Sequence, residues 1–199
     1  NIWIMPSPGD AGSSLGAAAL VQKKKINWTD PYLGYNIDRE VNPRKVVDQL
    51  LKAPTGVANG RAEFGPRALG NRSLLADPRK DVKEVVNTIK QREQFRPFAP
   101  AILEEYSEEY FSGPMNRYMQ FVAKAKHDHK SVTHIDGTAR VQVVEKDNKS
   151  ILRPILEEWY ERTGCPMLLN TSLNIKGQPI VNDWSDAKKF MEKYNVAVF

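Results

Sequence analysis

One cysteine, three histidines and no long apolar run set the first limits on this 199-residue chain. A single cysteine, Cys165, excludes an intrachain disulfide and a cysteine cage for zinc or iron–sulfur. It fits a reducing, cytoplasmic compartment and reads as a core thiol. No stretch approaches the ~20 apolar residues that a membrane-spanning helix needs, so no membrane partner is expected. The opening NIWIMPSPGD has neither a basic n-region nor an apolar h-region, and no signal peptide is expected. His127 and His129 form the one close histidine pair; with no further ligand pattern around them, no metal site is assigned. Against these absences stand 41% hydrophobic residues, enough for a core, and 27% charged residues, ordinary for a globular chain. There is no internal repeat and no low-complexity segment.

The net charge is +5, and most of the excess is local. Between Arg61 and Arg96 stand nine basic residues and five acidic ones, so about a sixth of the chain holds +4 of it. A cluster of this kind suits an anionic partner, whether nucleotide, phosphorylated metabolite or nucleic acid; the plain alternative is a solvated basic face.

Periodicity predicts an alternation of strands and helices. Residues 1–5 read as an apolar strand, followed by a Gly-punctuated turn and an Ala-rich helix over 14–24, with Asp10, Ser13 and Ser14 as candidate caps. Residues 26–42 are aromatic, irregular and Pro/Gly-bearing, and read as a linker. Beyond them, helices are expected over 43–53, 79–92, 104–111, 150–163 and 185–194. Strands are expected over 57–59, 73–76, 98–103, 119–126, 138–144, 167–170 and 196–199. The pattern predicts an α/β domain with an open, mixed sheet. The division follows: 1–25 as the end of one domain, 26–42 as linker, 43–199 as a second domain.

Five segments hold candidate chemistry. Gly9, Asp10 and Gly12 precede a helix, where glycines let backbone approach a phosphate; a tight turn explains them equally. The run Gly60–Ser73 places Arg61, Arg67 and Arg72 among three glycines, and arginine forks bind phosphate or carboxylate in bidentate geometry. Phe64, Pro66 and Leu69 give that loop apolar anchors, and Glu63 is positioned to orient an arginine by an ion pair. In the third segment Lys90 ends a helix and Arg96 precedes Pro97, so the two cations can converge on one phosphate; Lys90 and Arg92 are also explained by compensation of the helix dipole. His134, Asp136, Thr138 and Arg140 alternate at the strand period, although Asp136-Gly137 is also a turn signal. Asn170, Ser172 and Asn174 alternate at the end of an apolar strand, where open α/β sheets hold ligands, or where a local turn uses such residues.

Four blocks, GRAEFGPRALGNRSLLADPR, IKQREQFRPFAPAI, THIDGTARVQVV and LLNTSLNIKGQPIV, stand in that order. Together they resemble the C-terminal half of NodU/CmcH-type O-carbamoyltransferases over residues 41–199. PGDAGSSLGAA resembles the end of that family's larger, actin-like (ASKHA) N-terminal domain. The chain is thus expected to be a fragment, with the metal-binding histidines of that domain, and its iron, upstream. The resemblance implies a YrdC-like twisted α/β sheet around a positively charged cavity. There carbamoyl phosphate and ATP, with Mg2+, would give carbamoyl-adenylate, and the N-terminal domain would pass the carbamoyl group to a hydroxyl of a small-molecule acceptor.

Carried over by motif, Lys90 and Arg96 are expected to hold carbamoyl phosphate. Arg61 and Arg67 would neutralise phosphates, and Asn170, Ser172 and Asn174 would stand near the nucleotide and carbamoyl group. His134, Thr138 and Arg140 fall in a family block without individual roles. Lys90, Arg96 and Arg67 are the expected catalytic cations, and Gly9, Asp10 and Gly12 the nucleotide-binding turn. Two other readings remain: a basic RNA-binding module of the same fold, and a threonylcarbamoyl-adenylate synthase. The Gly- and Pro-shaped setting of the basic residues favours a small-anion pocket, and no nucleic acid is expected.

Overall fold

A computed structural model describes residues 5–199. The strand expected at 1–5 falls, but for Met5, outside the described residues. In chain order the elements are α1 (Asp10–Gln22), β1 (Tyr32–Ile37), α2 (Pro43–Leu50), β2 (Thr55–Ala58), β3 (Gly60–Glu63), β4 (Arg72–Ala76), α3 (Lys83–Ile89), β5 (Ala99–Leu103), α4 (Ser107–Tyr110), β6 (Phe111–Ser112), β7 (Ala123–Ala125), β8 (Thr138–Ala139), β9 (Gln142–Val144), α5 (Leu152–Thr163), β10 (Met167–Ser172) and α6 (Trp184–Tyr194).

The central sheet runs β2-β4-β10-β5-β9. Its first three pairings are antiparallel and the last, β5 with β9, is parallel, so the sheet is open and mixed as the alternation predicted. Every residue of β2, β4, β5 and β9 is buried, as are the first four of β10. Runs such as APAIL and MLL, apolar without alternation, suit strands covered on both faces. Helix α5 turns Leu152, Ile155, Leu156 and Trp159 inward, all at 0% exposure. At the helical spacing they form one stripe, each contributing ~1.5–3 kcal/mol on burial. Gly164 ends the helix in the left-handed conformation, φ +68°. Asn42 caps α2 by accepting from the Arg44 N–H, and Asp183 caps α6 by accepting from that of Asp186.

The structure departs from the expected elements in four places. Helix α1 starts at Asp10 behind Gly9, and neither Asp10, Ser13 nor Ser14 caps it: the two serine hydroxyls donate back to Gly9 O and Ala11 O instead. Residues 26–42 are not wholly irregular, for β1 lies within them and pairs antiparallel with β3. Helix α3 begins at Lys83 because Asp77 first accepts from the backbone and guanidinium of Arg79, closing a turn; Val85, on its outer face, is 50% exposed. The expected strand 138–144 is two strands in two sheets, β8 beside β7 and β9 beside β5, with Arg140 between them. The tail at 196–199 runs parallel to β2 as an extended segment: Gly56 N donates to Ala197 O, Ala58 N to Phe199 O, and Phe199 N to Gly56 O. Cys165 is buried, and burial raises its thiol pKa.

Candidate functional site

The loop between β3 and β4 starts from a carboxylate. Glu63 Oε1 accepts backbone N–H groups of Leu69 (2.7 Å), Asn71 (2.7 Å) and Arg72 (3.2 Å). Burial pushes this carboxyl up and the backbone donors pull it down. Glu63 thus shapes the loop through backbone rather than through the ion pair the sequence suggested. Gly70, at φ +126°, lies where an added Cβ would meet Ser150 and Leu152 at 2.6–2.7 Å, so only glycine fits. The loop so formed projects Arg67.

Opposite it, Asn87 orders the segment after α3. Its amide donates to Gln94 O and Arg96 O, both at 3.2 Å, and its oxygen accepts from Arg92 Nε. Arg92 lies over the Phe98 ring, 4.1 Å from its centroid. A cavity of about 440 Å³ opens between the two loops and the end of β10, and Arg67, Arg92, Arg96, Arg140, Asn170 and Ser172 are among its lining residues. No carboxylate is among those that line it. Burial, and then a neighbouring guanidinium, pushes Arg92 and Arg140 down to about 10; for Arg92 the neighbour is Arg96, for Arg140 it is Arg67. Burial also lowers Arg67. Glu93, outside the lining, stands 3.7 Å from Arg96, but four guanidinium groups around one cavity outnumber it and form a site for an anion of more than one charge.

A second, larger cavity of about 710 Å³ shares Pro66, Arg67, Met119 and Arg140 with the first. Gly9 and Asp10 line it, whereas Gly12 does not. A Cβ on Gly12 would run into the Ser7 carbonyl, so this glycine serves the turn itself.

Several expected residues stand elsewhere. Arg61, on β3, is exposed and crosses to Leu33 O of β1 at 2.9 Å, outside the cavity. Lys90 does not line it either. It is 4% exposed and lies beneath the strand end, where Nζ donates to Ser172 O, to Asn174 O (2.9 Å) and to Asn174 Oδ1 (3.0 Å). Burial, then Arg92 and Arg96, pushes its pKa down to about 7. Asn174 is taken up by this lysine and by Gln178 O. His134 and Thr138 close a turn: His134 N donates to Thr138 O, Gly137 is at φ +77°, and Asp136 accepts from both N and Oγ1 of Thr138. The turn signal in Asp136-Gly137 therefore wins over the shared face, and of that block only Arg140 reaches the cavity. Two residues without an assigned role join the site. The helix dipole does not account for Arg92, because α3 ends before it. Gln142, buried beside Asn170, is signalled in the sequence only by being polar within VQVV.

Residues 49–199 match the family model described as carbamoyltransferase C-terminus. The chain belongs to this family. Among curated relatives of this carbamoyltransferase C-terminal domain, nodulation protein NolNO of Sinorhizobium fredii is 37% identical over 94% of the chain and 33% of its own length. NolO of Bradyrhizobium diazoefficiens is 36% identical over 94% of the chain and 41% of its own length. Nodulation protein U of Azorhizobium caulinodans is likewise 36% identical, over 94% of the chain and 37% of its own length. The chain thus spans about a third to two fifths of these relatives. In fold it is similar to full-length HypF, solved in a phosphate- and nucleotide-bound form. The TM-score is 0.56 at 15% identity, over 81% of this chain and 21% of that one. Among the described residues, no helix is long and apolar enough to cross a membrane, and no three His, Cys, Asp or Glu residues group as metal ligands.

Proposed function

We propose that this domain binds carbamoyl phosphate and ATP in the two joined cavities and forms carbamoyl-adenylate. The observation that carries the reading is the set Arg67, Arg92, Arg96 and Arg140 around one cavity without a lining carboxylate. Such a set suits two phosphorylated substrates, whose approach is opposed by their own charge. Water releases phosphate from carbamoyl phosphate, and an oxygen of the resulting carbamate displaces pyrophosphate from the α-phosphorus of ATP. The arginines hold the phosphates in line, and the end of β10 holds the carbamoyl end. Lys90 acts from behind, fixing the Ser172–Asn174 turn rather than touching phosphate. Mg2+ would travel with the nucleotide phosphates and supply charge neutralisation. A hydroxyl-bearing small molecule would then take the carbamoyl group and release AMP, in a further, N-terminal domain of the longer protein to which residues 1–25 would belong.

The test is pyrophosphate release from ATP by the chain, with and without carbamoyl phosphate. Release that depends on carbamoyl phosphate and falls at least a hundredfold in Arg67→Ala is expected. Failure of the chain to bind either compound in calorimetry would overturn the reading.

A further inference from the structure

Two of the four cavity arginines, Arg92 and Arg96, stand on a segment without regular structure. Residues 90–98 lie between α3 and β5 and form neither helix nor strand. Phe95 is 78% exposed, so the core does not hold the outer side of this segment. On the surface Glu93 pairs with Lys176, an exposed contact that contributes little. Inside the protein the main fastening is Asn87. This side chain is 0% exposed; its amide donates to Gln94 O and Arg96 O, and its oxygen accepts from Arg92 Nε. Its backbone carbonyl accepts from Arg92 N at 3.1 Å. The amide cannot turn over, since that would set oxygen against two carbonyl oxygens and amine against a guanidinium. Pro97 O takes a second Arg92 donor, Nη2, at 3.2 Å. Both bonds fall on the Nε–Nη2 edge of the guanidinium, and Nη1 is left without a partner among the described residues.

Arg92 and Arg96 repel each other, yet both must keep their charge to attract an anion. A carboxylate at position 87 would hold Arg92 more strongly, but it would cancel the charge that an anion needs. An amide holds the guanidinium by a charge-assisted bond and neutralises nothing. It also fastens Arg96 through the backbone carbonyl and leaves that residue's head group alone. Resting on the anion binding proposed above, we propose that Asn87 is the positioning residue of this wall, a neutral clamp that keeps Arg92 and Arg96 on the cavity against their mutual repulsion. The other wall is built separately: Arg67 stands on the β3–β4 loop and Arg140 between β8 and β9, and no Asn87 side-chain bond reaches either.

The experiment is calorimetric titration of the chain with carbamoyl phosphate and with inorganic phosphate. The variants are Asn87→Ser, Asn87→Asp, and Asn87→Ser combined with Arg92→Met or with Arg140→Met. Asn87→Ser, too short to reach its three partners, is expected to weaken both anions about tenfold. Asn87→Asp has the same volume and still accepts from Arg92, and it is expected to lose at least as much, about tenfold, because it adds a counter-charge. Residues that act through one another lose less together than the product of their separate losses, and independent ones lose the full product. Asn87→Ser should therefore cost about threefold or less once Arg92 is gone, and its full factor of about ten beside Arg140→Met. A general loosening of the fold would cost the same in both backgrounds, and that result would overturn the assignment, as would an Asn87→Asp chain that binds like wild type. Coupling seen with inorganic phosphate, while carbamoyl phosphate fails to bind wild type, would keep the clamp and sink the function proposed above. If neither anion binds wild type, both fail.

Discussion

Arg72 and Arg140 are two arginines placed in opposite circumstances. Arg72 is fully buried and gives its donors to five backbone carbonyls, those of Asn59, Gly60, Asn71, Tyr35 and Asn182. Arg140 lines a cavity, its Nε unmatched among the described residues and Arg67 its charged neighbour. The first is a staple that ties β1 to the strands behind it. The second is a group whose Nε has no partner among the described residues. Burial alone does not separate structural from functional cations; what the donors meet does.

Replacing each in turn should break the comparison in different places. Arg72→Met strands five carbonyls, and a loss of ~3–5 kcal/mol is expected in urea unfolding, or roughly 10 °C in Tm. Carbamoyl phosphate at a hundred times its Kd should raise wild-type stability by ~2.7 kcal/mol, measured as a shift of the unfolding midpoint. Arg140→Met should lose most of that shift and ~10–100-fold in phosphate affinity, with a midpoint in the absence of ligand equal to wild type or higher. A fall in its ligand-free stability like that of Arg72→Met would erase the distinction.

Lys90 sharpens it further. Its pKa is about 7 in the folded chain, where burial opposes its charge, and near 10.5 when unfolded. The unfolded state therefore binds the extra proton between these values, and stability rises with pH from about 7 upward. The rise is at most ~1.4 kcal/mol per pH unit. Lys90→Met should flatten it, as urea midpoints at about pH 7, 7.75 and 8.5 would register. The smallest effect is expected of Tyr32→Phe, which loses a hydroxyl shared between Leu69 O and Asn148 Oδ1 and ~1 kcal/mol.

Much of this was readable from the residues. The cores of β4, β5, β10 and α5 followed from apolar runs and helical spacing, because burial on both faces, or on one stripe, is written directly into composition. β1 was hidden: its residues run YLGYNI, half exposed, and its strand character comes from a partner that is distant in sequence. Arg67, Arg96, Arg140, Asn170 and Ser172, all candidates from the sequence, line one cavity. The misplacements have one cause. Arg61, Lys90, His134 and Thr138 have the right chemistry in the right blocks, but side-chain direction depends on turns and cross-strand contacts that spacing does not encode. Gln142 escaped for the converse reason, since a lone glutamine in a strand has no motif and acquires meaning only from its neighbours.

The position of β10 has a consequence for synthesis. As the chain leaves the ribosome, β2 can meet β4 and β5 can meet β9 early, giving two half-sheets that each end in a bare, apolar edge. β10 is the strand that joins them, pairing Leu169 with both Ala76 and Pro100. Because loop closure over such distances is slow, a nascent protein that pairs in this order would hold both edges open to neighbouring chains until β10 arrives. Asn170 arrives on that same strand, so the cavity floor and the finished sheet are completed in one step, and a ribosome stalled before it holds a chain with neither.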